Sequence, residues 1–247
     1  MMRRYTTFFA IAAILAAISA SVYLIHYAIF HDAHHIFIYL VGDIAFVPIE
    51  VLLVTVIIHQ LLSAREKNAR MEKLNMVIGA FFSEVGTQLL TYFSDWDPKL
   101  DTIRNDLVVT SDWTHQEFLD VSKHLKKFDY GIDIHKVDLA RLRMFLREKI
   151  DFLLRLLENP TLLEHESFTE LLWAVFHLAE ELAARDSVKK LPDSDQVHLA
   201  GDIKRVYVLL VHQWVNYMGH LKDNFPYLFS LAMRINPFDQ EASPIVQ

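Results

Sequence analysis

Asp43 and Glu50 stand seven residues apart inside an otherwise apolar run, "IFIYLVGDIAFVPIEVLLVTVIIHQLL" (36–62). On an α-helix seven residues turn through ~700°, within ~20° of two full turns, and rise ~10.5 Å. The two carboxylates therefore share one face. An acidic side chain deep in hydrocarbon costs at least ~2.5 kcal/mol. Two on one face predict a face sheltered from lipid. Pro48 has no N–H, so the carbonyl of Ile44 loses its helical partner and is left for another donor, a water or a cation. If several copies surround an axis, Asp43 and Glu50 become two stacked acidic rings, the device by which cation pores concentrate and select ions. Two other readings compete. The acids can be protonated or bonded to Ser19, Ser21, Tyr23 or His26 of a neighbouring helix, or they can act in a proton-coupled switch.

Histidines are the second chemical feature. His31, His34 and His35 crowd the short stretch "HDAHH" together with Asp32. Imidazole is a metal ligand and titrates near neutral pH, so these four residues are candidates for a proton or metal sensor at the mouth of a path. Histidines meeting lipid headgroups are the plainer alternative.

A third group lies far along the chain. In "EHESFTELLWAVFHLAEE" (164–181), Glu170, His177 and Glu181 fall near one helical face. His212 and His220, eight residues apart with Asn216 between them, share a face of the last long helix. A divalent cation on these five residues is one reading. A di-metal carboxylate bundle, however, uses Glu-x-x-His on two helices, and this spacing occurs here only in reverse, His177 to Glu180. A solvated face of ion pairs is the alternative.

The elements that must position these residues are helical. The chain has 247 residues, six glycines and seven prolines, too few turn-formers for an all-β fold. Residues 5–30 carry no charged residue except His26 and can cross ~30 Å of hydrocarbon, as can 36–62. Arg3 and Arg4 precede the first run, and Arg65, Lys67, Arg70 and Lys73 follow the second, while the turn has no Lys or Arg. The positive-inside rule then predicts a multi-pass protein of the inner (plasma) membrane with both termini cytoplasmic. A cleaved signal peptide ending at Ser19–Ser21 is the rival for the first run. Residues 63–94 continue as one helix with a 3–4 apolar stripe, Met71, Leu74, Ile78, Phe81, Val85 and Tyr92, which reads as a coiled-coil or bundle stripe and predicts a homo-oligomer, the alternative being that it packs on the chain's own distal helices. Residues 95–236 read as a cytoplasmic helical bundle. Asp97-Pro98 opens a helix through Leu107, and Thr114 and Glu117 form a capping box. Residues 136–158 and 161–185 form two more helices, and Asp193 or Ser194 caps a last long helix ended by Pro226. Residues 237–247 read as a tail. The expected fold class is thus all-α: a two-span transmembrane hairpin, a juxtamembrane helix and a cytoplasmic bundle.

Composition limits the function. There is no cysteine, which excludes disulfides and thiol chemistry. The net charge of −7 and the lack of a basic face argue against nucleic acid as a partner. No P-loop, dinucleotide turn, Gly-x-Ser-x-Gly or His-Glu-x-x-His occurs, so no enzymatic activity is expected. No cofactor is expected either, beyond a divalent cation.

Asp43-Ile44, Pro48 and Glu50 resemble the acidic pore motif of the mitochondrial calcium uniporter family, which reads Asp-Ile-Met-Glu-Pro at the outer start of the second span of a hairpin with both ends inside. The resemblance covers about ten residues. The tryptophan before the motif is missing, the acids are seven apart instead of three, and no long coiled coil precedes the first span. It implies that stacked carboxylates on such a hairpin can bind Ca²⁺ or another divalent ion. The sequence reading is a homo-oligomeric cation channel or ion-permeation protein in the lipid bilayer, with the second span lining the path. The alternative is a membrane-anchored scaffold or sensor whose bundle binds a cytoplasmic protein partner.

Overall fold

A computed structural model describes residues 2–160, 162 and 165–246, and the side chains of 2–8 and 68–70 are outside the description. Thr161, Leu163 and Glu164, part of the helix expected over 161–185, lie outside the described residues. The fold is all-α, with no strand among the described residues. The chain divides into two units, Met1–Lys67 and Asn68–Gln247.

The first unit holds α1 (Met2–Phe30) and most of α2 (Ala33–Phe81). Both are long and apolar enough to cross a membrane, with mean hydropathies of 2.1 and 2.3 over their most apolar windows and no residue of those windows buried. Two residues make the turn. His31 adopts the left-handed region at φ 52°, and its N–H closes on the carbonyl of Tyr27 at 2.9 Å. Asp32 Oδ1 then accepts the N–H of His35 at 3.0 Å and caps α2.

The second unit begins with the end of α2. A π-helical turn (Phe82–Gly86) leads into α3 (Thr87–Trp96), followed by α4 (His115–Leu125), α5 (Leu139–Leu157), α6 (Glu166–Ala184), α7 (Asp193–Asn224) and α8 (Pro226–Arg234). Thr114 and Glu117 form the expected capping box, each side chain bonding the other's backbone N–H. Pro226 ends α7 and stands at the first turn of α8. The all-apolar "VYVLLV" makes α7 the central helix, packed against α3, α4, α6 and α8. The α6–α7 pair is antiparallel: Ser167 meets Gln213, His177 meets Asp202 and Glu181 meets His198, so numbers rise on one helix as they fall on the other.

Three sequence expectations are corrected. The stripe on residues 71–92 is no open coiled-coil seam. Leu74, Ile78, Phe81, Val85 and Tyr92 are buried within the chain's own bundle, where Phe81 packs edge-on against Phe168 with ring centres 5.4 Å apart. Only Met71 is exposed. The helix expected after Pro98 is two 3₁₀ turns, Leu100–Thr102 and Arg104–Asp106. The i→i+3 geometry eclipses residues three apart, so Leu100 and Ile103 both enter the core, followed by Leu107. The tail is anchored: Phe238 is fully buried against Trp214, and its carbonyl accepts Arg104 Nη1 at 2.9 Å.

Candidate functional sites

Within the hairpin unit, α1 and α2 bring His26 and His35 together with their rings parallel (2°) and 6.0 Å between centres. A cleft of about 340 Å³ lies beside them, lined by Val22, Tyr23, His26, His35, Ile36, Tyr39 and Asp43. His26 Nδ1 is buried there with no hydrogen-bond partner. Of the residues singled out above, Tyr23, His26, His35 and Asp43 line this cleft, while His31, Asp32 and His34 stay exposed at the turn. Glu50, Ile44 and Pro48 lie further along α2, all exposed, with Pro48 inside the helix. Neither Asp43 nor Glu50 makes a hydrogen bond or ion pair among the described residues.

The five residues proposed for a divalent cation in the bundle do not form one site. His212 contacts Ser122 Oγ at 3.3 Å and Asn216 at 3.2 Å, and burial, helped by the charge of Lys126, lowers its proton affinity. His220 Nδ1 faces the side-chain amides of Asn75 and Asn224, each at 3.1 Å. Burial lowers its proton affinity as well, against the opposing charges of Asp223 and Glu72. Both histidines contact a neighbouring helix, and neither joins a cluster of metal-ligating side chains among the described residues. Glu170 is exposed on α6.

His177 and Glu181, by contrast, meet two residues of α7. His198 Nε2 lies 3.3 Å from Asp202 Oδ2 and 3.6 Å from Glu181 Oε2. His177 Nε2 lies 3.8 Å from Asp202 Oδ2 and 3.9 Å from Glu181 Oε1. Ligand atoms of Glu181, His198 and Asp202 all fall within 4.8 Å of one another. Arg185 Nη1 holds Glu181 Oε2 at 2.8 Å, and that bond keeps the Glu181 carboxyl below its usual range. Two histidines alternating with two carboxylates can chelate a divalent cation or share protons.

Residues 3–62 match the family described as "MJ1433, N-terminal helical domain", and residues 70–234 match "Uncharacterized protein MJ1433, C-terminal helical domain". The chain belongs to the MJ1433 family. It is 50% identical over 240 residues to "Uncharacterized protein MJ1433" of Methanocaldococcus jannaschii, an alignment that covers 97% of this chain and 96% of that protein. No solved structure matches the chain. In this member of the MJ1433 family, the residues that sequence reasoning missed are His198 and Asp202. Their signal was present: "HLAEE" (177–181) and "HLAGD" (198–202) each place a histidine four residues before an acid. Four residues is one helical turn, so each pair shares a face.

Proposed function

We propose that this protein is a homo-oligomeric cation channel or ion-permeation protein of the membrane, in which the Asp43–Glu50 face of α2 lines the path. The observation that carries the reading is the exposure of both carboxylates in a single chain, among apolar side chains that are themselves exposed. Phe46, Val47, Ile49 and Val51 flank them at 51%, 47%, 50% and 59% exposure. An apolar surface of this extent needs lipid or other copies to cover it. Two carboxylates within it need water, ions or a polar partner. A ring of α2 helices supplies both: apolar faces turned to lipid and to neighbours, and acids turned to an axis. Because the 74–92 stripe is used inside the bundle, copies associate through the hairpin in this reading. A second reading, a membrane-anchored sensor, is favoured by the closed core of the bundle, which leaves that unit free to recognise a partner.

The deciding measurement is cation flux in liposomes containing the full-length protein, beside the mass of the detergent-solubilised particle. Flux by the wild type, with altered cation selectivity in Asp43→Asn and Glu50→Gln, supports the permeation reading. A monomer, or an oligomer that conducts nothing across the tested voltages and pH values, favours the sensor.

A further inference from the structure

We propose that His177, Glu181, His198 and Asp202 form a divalent transition-metal site, suited to Zn²⁺, at the α6–α7 seam. This inference stands independently of the permeation reading.

The seam arises from two similar five-residue stretches. "HLAEE" on α6 and "HLAGD" on α7 run antiparallel, so each histidine faces the other helix's acid. His198 Nε2 lies 3.3 Å from Asp202 Oδ2 and 3.6 Å from Glu181 Oε2, and ligand atoms of these three residues lie within 4.8 Å of one another, while His177 Nε2 stands at the edge of the group, 3.8 Å from Asp202 Oδ2 and 3.9 Å from Glu181 Oε1. Zn–N and Zn–O bonds of ~2.0–2.1 Å at tetrahedral angles place ligand atoms ~3.3–3.4 Å apart. The nitrogen–oxygen contacts are at that spacing or up to about half an ångström wider, and His177 must swing inward to complete the set. Small rotamer adjustments close this gap, because three of the four side chains are partly exposed. The core positions behind the group are rigid: Leu178, Leu182 and Leu199 are fully buried.

Asp202 supplies the second observation. It is 4% exposed. Its Oδ1 accepts Arg205 Nη1 at 3.3 Å, but its Oδ2 is buried with no hydrogen bond and points toward both imidazoles. A buried carboxylate oxygen without a donor is costly, and a cation at the centre of the group removes that cost. Arg205 then serves as an outer partner that orients the ligand. Charge agrees: two carboxylates and two neutral imidazoles balance a divalent ion. Arg185 bonds Glu181 Oε2 at 2.8 Å, and its charge is offset by Asp195, whose carboxylate it holds at 2.6 and 2.9 Å. Two imidazoles in a four-ligand set favour Zn²⁺ or a neighbouring transition metal over Ca²⁺ and Mg²⁺, which take oxygen ligands in larger number. His177 and His198, each about half exposed, leave a way in for the ion.

The test uses full-length protein in detergent, stripped with a chelator and titrated with Zn²⁺ by calorimetry. The histidines of the hairpin turn are a second candidate for the same ion, so the working background is His31→Gln/His34→Gln/His35→Gln. One Zn²⁺ per chain is expected to remain in that background. His198→Gln and His177→Gln should each weaken it by more than the ~10–100-fold that loss of an outer-shell partner costs. Circular dichroism should be unchanged, since both side chains lie at the surface. Co²⁺ in the same background should give the visible bands of a tetrahedral site, a readout that needs no further variant. Absence of stoichiometric Zn²⁺ and of those bands overturns the proposal, as does unchanged affinity in His198→Gln.

Discussion

Asp97 Oδ1 accepts the backbone N–H of Gly131, 34 residues away, at 3.2 Å, and that of Lys99 at 2.9 Å. The other oxygen, Oδ2, is buried with no hydrogen bond, as are the hydroxyls of Tyr130 and Tyr207. The two phenol rings lie 5.1 Å apart, and burial, with the Asp97 charge behind it, pushes both well above their usual range. Burial likewise raises the Asp97 carboxyl, against the pull of its two backbone donors. The folded protein therefore binds the Asp97 proton more tightly than the unfolded chain, which releases it near pH ~3.9. Stability at this site is greatest below that pH and falls as pH rises through the raised folded value. Asp97→Asn keeps the oxygen that accepts from Gly131 and removes the charge. Its melting temperature, relative to wild type, is expected to rise between pH ~4 and neutrality. A difference that does not change with pH would show that Asp97 ionises as freely folded as unfolded.

Arg185 carries a second prediction, on the opposite slope. It stands just past the end of α6 with its side chain 16% exposed. Its Nε and Nη2 form a fork on Asp195 in the first turn of α7, at 2.9 and 2.6 Å. Its Nη1 reaches the side chain and the carbonyl of Glu181. Arg185 holds the carboxyls of Asp195 and Glu181 below their usual range. That stability is present above the ordinary carboxylate values near ~4 and is lost as pH falls through the depressed ones. Arg185→Ala is expected to lower the melting temperature at neutral pH and to flatten the loss on the acid side. Arg185→Lys should recover only part, because an ammonium cannot form the fork. Full recovery in the lysine variant would mean that charge alone, without the planar geometry, holds the loop.

Local signals were the legible part of this fold. Thr114 and Glu117 lie three apart and need only each other, so the capping box could be read directly. Pro226 fits the first turn of a helix, so the boundary between α7 and α8 could be read directly. What was not legible depends on partners distant in the chain. Nothing near Pro98 reveals that Asp97 ties its segment to Gly131, and the 3₁₀ turns follow from that tie and from the packing of Leu100 and Ile103. A 3–4 stripe announces an apolar face but not its partner, so residues 74–92 read equally well as an oligomer seam and as core. Phe238 is a single aromatic with no period around it. In the candidate site, His177 and Glu181 were found because they lie in one acidic stretch. His198 and Asp202 join them only because α7 runs antiparallel to α6, a relationship no spacing within either helix contains.

Gly86 carries the last prediction. It closes the π-helical turn Phe82–Gly86, in which the N–H of Thr87 reaches back to the carbonyl of Phe82. A β-carbon at Gly86 would sit 2.6 Å from Phe82 Cδ1 and 2.9 Å from Phe81 Cε1. Neither ring can easily retreat. Phe81 is fully buried against Phe168, and Phe82 stacks on Tyr217 with ring centres 5.1 Å apart. Alanine gains ~1 kcal/mol of helix propensity over glycine. Overpacking a core costs ~1–3 kcal/mol. With two rings in the way the steric cost wins, and Gly86→Ala is expected to destabilise the bundle. A double-mutant cycle separates the two effects. In a Phe82→Ala background the nearest obstacle is gone, and Gly86→Ala should then cost much less. Chemical denaturation of the four proteins measures the difference. Equal costs in both backgrounds would mean that the π turn needs glycine for its backbone and not for the space beside Phe82.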